Sequence, residues 1–351
     1  KGLVGSEMCI RDSDSLASLR DSNIYTAINH RQIPTIYPPL AQTFFALVGA
    51  IGESPGTVKM GLIAFDVGLC LLLARFLALR GMDPRRTLIY AWHPLPLVEV
   101  AGSGHIDILG SFFTLAALCA LVLYRQVLAY ALLAAATLSK LGPVFVLPFF
   151  WQHGDRAPSN RLRSLFSLSG RAPFLVFVVV ISLGYMPYVN VEMHIFSGLT
   201  KYLNNWHFND FFYSLFRSLL TLLTPSAAAY ARWGCALLMI TAIGYAARTA
   251  EDPLRAAYWS LGTYVLLSPT LHPWYLLWIM PFMPFFPSTA WLTLSVLVFL
   301  AYEVLIDYSL SGIWLEKPWV RWAQYTPFFS LLFWGHIHSY WRTIRGNANR
   351  S

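Results

Sequence analysis

Residues 58–79, VKMGLIAFDVGLCLLLARFLAL, form an almost unbroken apolar run of 22 residues. As a helix rising 1.5 Å per residue the run is about 33 Å long, enough to cross a hydrocarbon core of ~30 Å. No water reaches the inside of such a core, so a crossing segment must satisfy its own N–H and C=O groups, as a helix does. Apolar runs recur along nearly the whole chain, and only 12% of residues are charged, against roughly a quarter in a typical soluble protein. The expectation is an all-α fold, a polytopic transmembrane helical bundle, with one multi-span domain over residues 58–351 joined by short loops.

The basic residues orient that bundle. Arg80, Arg85 and Arg86, then Arg125, then Arg156, Arg161, Arg163 and Arg171, then Arg248 and Arg255, and finally Arg342, Arg345 and Arg350 fall at the ends of alternate runs. Placing them on the cytoplasmic side follows the positive-inside rule. The net charge of +8 then reads as orientation rather than as a nucleic-acid surface. Val127 to Ser139 and Val144 to Trp151 are each too short to cross, so Lys140 and Pro143 mark a hairpin or broken helix facing outside. Tyr37 to Gly52 becomes an outer interfacial or re-entrant helix, and residues 14–57 an extracytoplasmic loop that contains it. About ten or eleven membrane segments result, with a cytoplasmic C-terminus and a bacterial inner membrane as the expected location. Residues 1–13, KGLVGSEMCIRDS, have no initiator methionine and no hydrophobic signal segment, and resemble translated sequencing-adapter DNA. They are expected to be foreign, with the natural N-terminus and a first span missing.

The same orientation gathers the unusual polar residues on the outer face: His30, Tyr37, Glu99, His105, Asp107, Lys140, Lys201, His207, Asp210, His272, Trp274 and Tyr275. Ionisable groups at membrane depth cost a few kcal/mol each unless paired or facing a wet cavity, so such a cluster marks a functional site. Each residue also has a plain structural reading. Asp107 serves equally as a helix cap, His105 as a hydrogen-bonded structural histidine, and Glu99 as a partner for a neighbouring span. Lys140 either binds an anion or snorkels to the interface. His272 lies between two prolines that break the helix, Trp274 and Tyr275 fit an interfacial belt, and Trp206, His207, Asn209 and Asp210 fit either a sugar subsite or a headgroup-facing loop. Asp66 and His93 read as structural. The four cysteines show no metal or disulfide spacing.

Acids, histidines, a lysine at a helix break and many aromatics suit glycosyl transfer from a lipid phosphate. That reaction needs a base for the acceptor hydroxyl and positive charge for the leaving phosphate. No phosphate-binding glycine loop is present. The succession IPTIYPPLAQTFFAL, PLPLVEVAGSGHIDILG, LSKLGPVFVLPFF, LLSPTLHPWYLLWIMPF and QYTPFF resembles the GT-C class of bacterial membrane glycosyltransferases that use polyprenyl-phosphate sugars, mannosyltransferase-like proteins among them. The likeness runs from about residue 15 to the C-terminus.

The resemblance implies inverting transfer of a sugar, a hexose such as mannose or a pentose, from a polyprenyl-phosphate donor to a glycan or lipid acceptor of the cell envelope, at the outer face. It matches His105 and Asp107 to catalysis, and Tyr37, Lys140, His272, Trp274 and Tyr275 to the donor phosphate or sugar; Glu99, His207 and Asp210 join that donor set by their place on the same face. The acidic base that such enzymes carry soon after the first span is expected in the missing segment, since Asp14 and Asp21 lie too near the following helix or the suspected junction. No cofactor or metal ligand set is readable, and a divalent metal is left open. A transporter or flippase of a polar lipid and a non-catalytic envelope assembly protein are the alternatives. A transporter should show two related halves, which the sequence does not.

Overall fold

The computed structural model describes residue 33, residues 35–153 and residues 168–348. The segment read as foreign, Asp14, Asp21, His30, Arg156, Arg161, Arg163 and Arg350 lie outside the described residues.

Helix α1 (Pro39–Ile51) begins with proline at its first position and runs into Gly52. Ser54 then caps α2 (Pro55–Leu79) by accepting from the Thr57 N–H. The chain continues through α3 (Asp107–Val122), α4 (Gln126–Ser139), α5 (Leu147–His153) and α6 (Leu168–Tyr185). Next come α7 (Ser197–Asn205), α8 (Phe212–Thr221), α9 (Ala227–Thr249) and α10 (Pro253–Leu267), the last capped by Asp252. Last are α11 (Thr289–Leu297), capped by Ser288, α12 (Val304–Ser311) and α13 (Pro318–Ala348). Among the described residues no β-strand forms, and the β-type pairing is an isolated bridge between Phe208 and Thr270.

Four helical stretches are long and apolar enough to cross a membrane: Pro55–Leu79, Ala172–Val189, Ala227–Thr249 and Thr289–Ser311. Their outward faces are apolar, with Leu71, Leu237 and Ile240 each more than 60% exposed. Such a surface suits lipid and is unfavourable in water. The chain is therefore an all-α membrane protein.

The remaining apolar runs fold as shorter or interrupted helices. Proline is the recurring cause, because it lacks an N–H and its ring clashes with the preceding turn. Pro94 and Pro96 divide residues 88–102 into a short α-turn, a second turn and a π-helical turn, Leu97–Gly102. Pro273 and Pro281 leave residues 273–282 as buried 3-10 turns. At the end of α4 the backbone of Lys140 is extended, and a 3-10 turn, Gly142–Val146, leads on to α5. The broken helix expected at Lys140 and Pro143 is thus where the sequence places it.

The two ends of the bundle are fastened differently. At the C-terminal end of α2, Arg80 clasps Asp252 with two hydrogen bonds of 3.2 and 2.7 Å. Towards its N-terminal end, 21 residues before Arg80, Lys59 donates to the Gly102 carbonyl. Gly104, at φ +79° with the Lys59 stem 3.3 Å from where a Cβ would sit, makes that approach feasible. Gly142 allows another close contact: a Cβ there would stand 2.6 Å from the Trp278 ring. Gly142→Ala is expected to lower stability by about 1–3 kcal/mol through overpacking, read as a drop in melting temperature of the detergent-purified protein.

Candidate functional site

The turn after the π-helical segment and the break after α4 meet. Asp107, the first residue of α3, is 1% exposed, and its Oδ2 accepts from Lys140 Nζ at 3.2 Å. Asp107 follows the N-cap Ile106 in the first turn of α3, where the helix dipole favours a carboxylate, and it also serves the lysine. Lys140 is only 12% exposed and does not snorkel outward. Its ammonium lies 5.1 Å from the Tyr37 ring centroid and 5.5 Å from that of Tyr275. The Tyr275 hydroxyl in turn shares a 2.7 Å hydrogen bond with Tyr202. A cation enclosed by aromatic faces and one carboxylate keeps its charge with little water.

A second arm of the site runs from Glu99 through three stacked rings. Glu99 is fully buried, and its two oxygens accept from the Tyr302 hydroxyl at 2.9 and 3.0 Å. One of them lies 3.4 Å from His105 Nε2. The π-helical turn produces this placement: the His105 N–H donates to the Glu99 carbonyl at 2.8 Å, closing a wide turn over the side-chain pair. The His105 ring stacks on Trp274 with centroids 3.7 Å apart, and His272 stacks on Trp274 at 4.3 Å. Both faces of Trp274 carry an imidazole, so it acts as a spacer and leaves no face for a sugar.

Burial, then Lys140 and His272, push the His105 imidazole down to about 3. Burial and Lys140 do the same to His272, also down to about 3. Both rings are neutral at pH 7. In the unfolded chain they take up protons below about pH 6.5. The stability they contribute is therefore complete above pH 6.5 and is lost as the pH falls towards 3. The melting temperature is expected to fall between pH 7 and pH 4, and by less in a His105→Gln, His272→Gln double variant; equal falls in the two proteins would refute this.

His207 and Asp210 are not brought to Lys140. Asp210 is buried and accepts from the Ser214 N–H at 2.6 Å, inside the first turn of α8. His207 is 41% exposed, beside Glu316 at 3.9 Å and Arg217 at 3.4 Å. They belong to a neighbouring polar cluster centred on Asn209, joined to the site where the Phe208 ring lies 5.0 Å from that of His272. The two residues read as structural do hold local structure. Asp66 accepts from the Tyr90 hydroxyl at 2.5 Å, and His93 lies 3.0 Å from Ser295.

Lys59, Tyr202 and Tyr302 were not singled out in the sequence. Lys59 carries a readable signal, a cation at the start of a span whose other end is basic. The two tyrosines look like ordinary aromatics of apolar stretches. Among the described residues, no three His, Cys, Asp or Glu side chains gather closely enough to hold a metal ion. Cys70, Cys119 and Cys235 are free thiols. No protein-family model and no curated protein sequence matches the chain.

Proposed function

We propose that the protein is a membrane glycosyltransferase that moves a sugar from a polyprenyl-phosphate donor to a glycan or lipid acceptor, at the membrane face where Lys140 lies. The observation that carries this reading is the shielded Lys140–Asp107 pair at a helix break. An ammonium has three N–H donors, and Asp107 takes one of those of Lys140, leaving two to meet phosphate oxygens. Positive charge held in a site of low dielectric favours the negative charge that grows on a departing phosphate. Lys59, on the same end of the bundle, adds a second cation.

Asp107 then acts as a positioning residue for Lys140 rather than as a base. His105, 24% exposed, is placed to hydrogen-bond the acceptor hydroxyl, and the Glu99 carboxylate 3.4 Å behind it, pushed up by burial to about 7, is the group suited to take the proton. The hydroxyl oxygen attacks the anomeric carbon as the bond to the phosphate oxygen breaks, and the phosphate leaves as an anion. Tyr37, Tyr202 and Tyr275 wall the donor side. Mannose is the hexose chosen for the test.

The test is transfer of radiolabelled mannose from polyprenyl-phosphate mannose by the full chain in membranes. Lys140→Met is expected to reduce the rate by roughly 10²–10³-fold, the scale seen when one charge-stabilising donor is removed. Unchanged transfer by a Lys140→Met, His105→Gln double variant would remove the assignment.

A further inference from the structure

At the other end of the bundle, a groove of about 710 Å³ opens between α10, the turn that precedes α11, and α13. We propose that it binds one anionic phospholipid of the bilayer, with the phosphate on Arg255 and an acyl chain lying along the groove. The volume falls within the range of small-molecule sites. The site is separate from the one around Lys140. It lies on the α10 end that Asp252 and Arg80 fasten, whereas Lys59 and Lys140 mark the opposite end.

Charge selects the occupant. Arg255 is exposed at the rim, with its guanidinium carbon 5.1 Å over the Phe286 ring, and it makes no ion pair among the described residues. Asp252, three residues before it, is already held by both terminal nitrogens of Arg80. An arginine packed on an aromatic face with unused donors is suited to a phosphate. Ser288 and Thr289 bring hydroxyls to the same rim.

Shape selects the chain. From Arg255 to Leu266 the groove follows eleven residues of helix, about 16 Å. That is close to one leaflet, half of a hydrocarbon core of ~30 Å. Trp259, Leu266 and Leu331 give it an apolar wall, and Trp259 is 43% exposed towards the surroundings. Gly335 on α13 is exposed and a Cβ there would meet nothing within 4 Å, so the groove is open on that side. A headgroup at the arginine and a chain pointing into the membrane fit both features.

The experiment is native mass spectrometry of the full chain in detergent, titrated with phosphatidylglycerol or with phosphatidylcholine of the same acyl chains. A single phosphatidylglycerol adduct is expected, bound about fivefold more tightly than phosphatidylcholine, the discrimination one arginine gives near an anionic headgroup. Arg255→Ala is expected to equalise the two lipids, and Gly335→Trp, which sets a ring into the open α13 side of the groove, to lose both adducts. Each variant is first shown to be monodisperse with an unchanged melting temperature in lipid-free detergent. Phosphatidylglycerol preference that survives Arg255→Ala would overturn the proposal, as would undiminished adducts on Gly335→Trp. So would a lipid-free dimer that Gly335→Trp dissociates, since a second copy of the chain would then be the occupant.

Discussion

Lys140→Met is expected to destabilise the protein by about 3–5 kcal/mol, the cost of leaving one member of a buried ion pair without its partner. Asp107 is 1% exposed, so the carboxylate left behind cannot turn to water. It must either stay charged in an apolar surrounding or take up a proton, and both reduce stability. Asp107→Leu should cost a similar amount for the opposite reason, stranding the ammonium among the Tyr37 and Tyr275 rings. Replacing both residues together should recover most of the loss, because apolar groups of similar size often substitute for a buried pair at little cost. Thermal unfolding of the two single variants and the double variant forms the cycle that measures this. A double variant no more stable than either single one would show that the pair does not act as a unit. A stable double variant that has lost transfer would separate the chemical role of the pair from its structural one.

The helical membrane character was legible because it depends on local properties, namely the length of apolar runs and the position of prolines. The Lys140 break is the clearest case. Serine, lysine, glycine and proline follow one another where an apolar helix stops, and the backbone does turn extended there. The count of ten or eleven membrane segments was less legible, because an apolar run does not say whether its prolines will divide it. Residues 273–282 are apolar and buried, yet they form 3-10 turns in the interior rather than a crossing helix.

The site was legible as a set of residues on one side and illegible as contacts. Asp107 and Lys140 are 33 positions apart, and the basic loops placed them at one end without revealing that they touch. Glu99 was expected to pair with some neighbouring span, but its partner Tyr302 is 203 positions away and carries no local mark. Trp274 looked like a surface for a sugar because tryptophan commonly serves as one. The histidines on either side occupy both of its faces, a fact of tertiary packing alone. His207 and Asp210 shared the expected outer loop with the site, but the local backbone turns them towards α8 and Glu316.

That loop supports the second large effect, an expected loss of about 3–5 kcal/mol in Asn209→Ala. Asn209 is 2% exposed, and its amide exchanges two hydrogen bonds with Gln324, at 2.9 and 3.1 Å. Its N–H donates to Glu316 at 2.9 Å, and its carbonyl accepts from the Tyr325 hydroxyl at 2.9 Å. Alanine would keep the two backbone contacts and lose the amide pair, leaving the buried Gln324 amide unsatisfied at about 1–3 kcal/mol for each stranded group. It would also have to adopt φ +49°, a left-handed conformation that asparagine tolerates and alanine pays about 1–2 kcal/mol to occupy. Asn209→Gly removes the backbone strain and keeps the stranded amide, so it should be the milder of the two. Gln324→Ala should reproduce the stranded amide without the strain. Denaturation midpoints for the three variants separate the terms, and Asn209→Gly melting below Asn209→Ala would refute the backbone part. The effect should also reach the candidate site. Phe208, next in the chain, packs its ring 5.0 Å from His272, and the Phe208 carbonyl accepts from the Leu271 N–H at 2.8 Å. The loop that α13 grips at Asn209 is therefore the support of the His272–Trp274–His105 stack, and loosening it should lower transfer before the fold itself is lost.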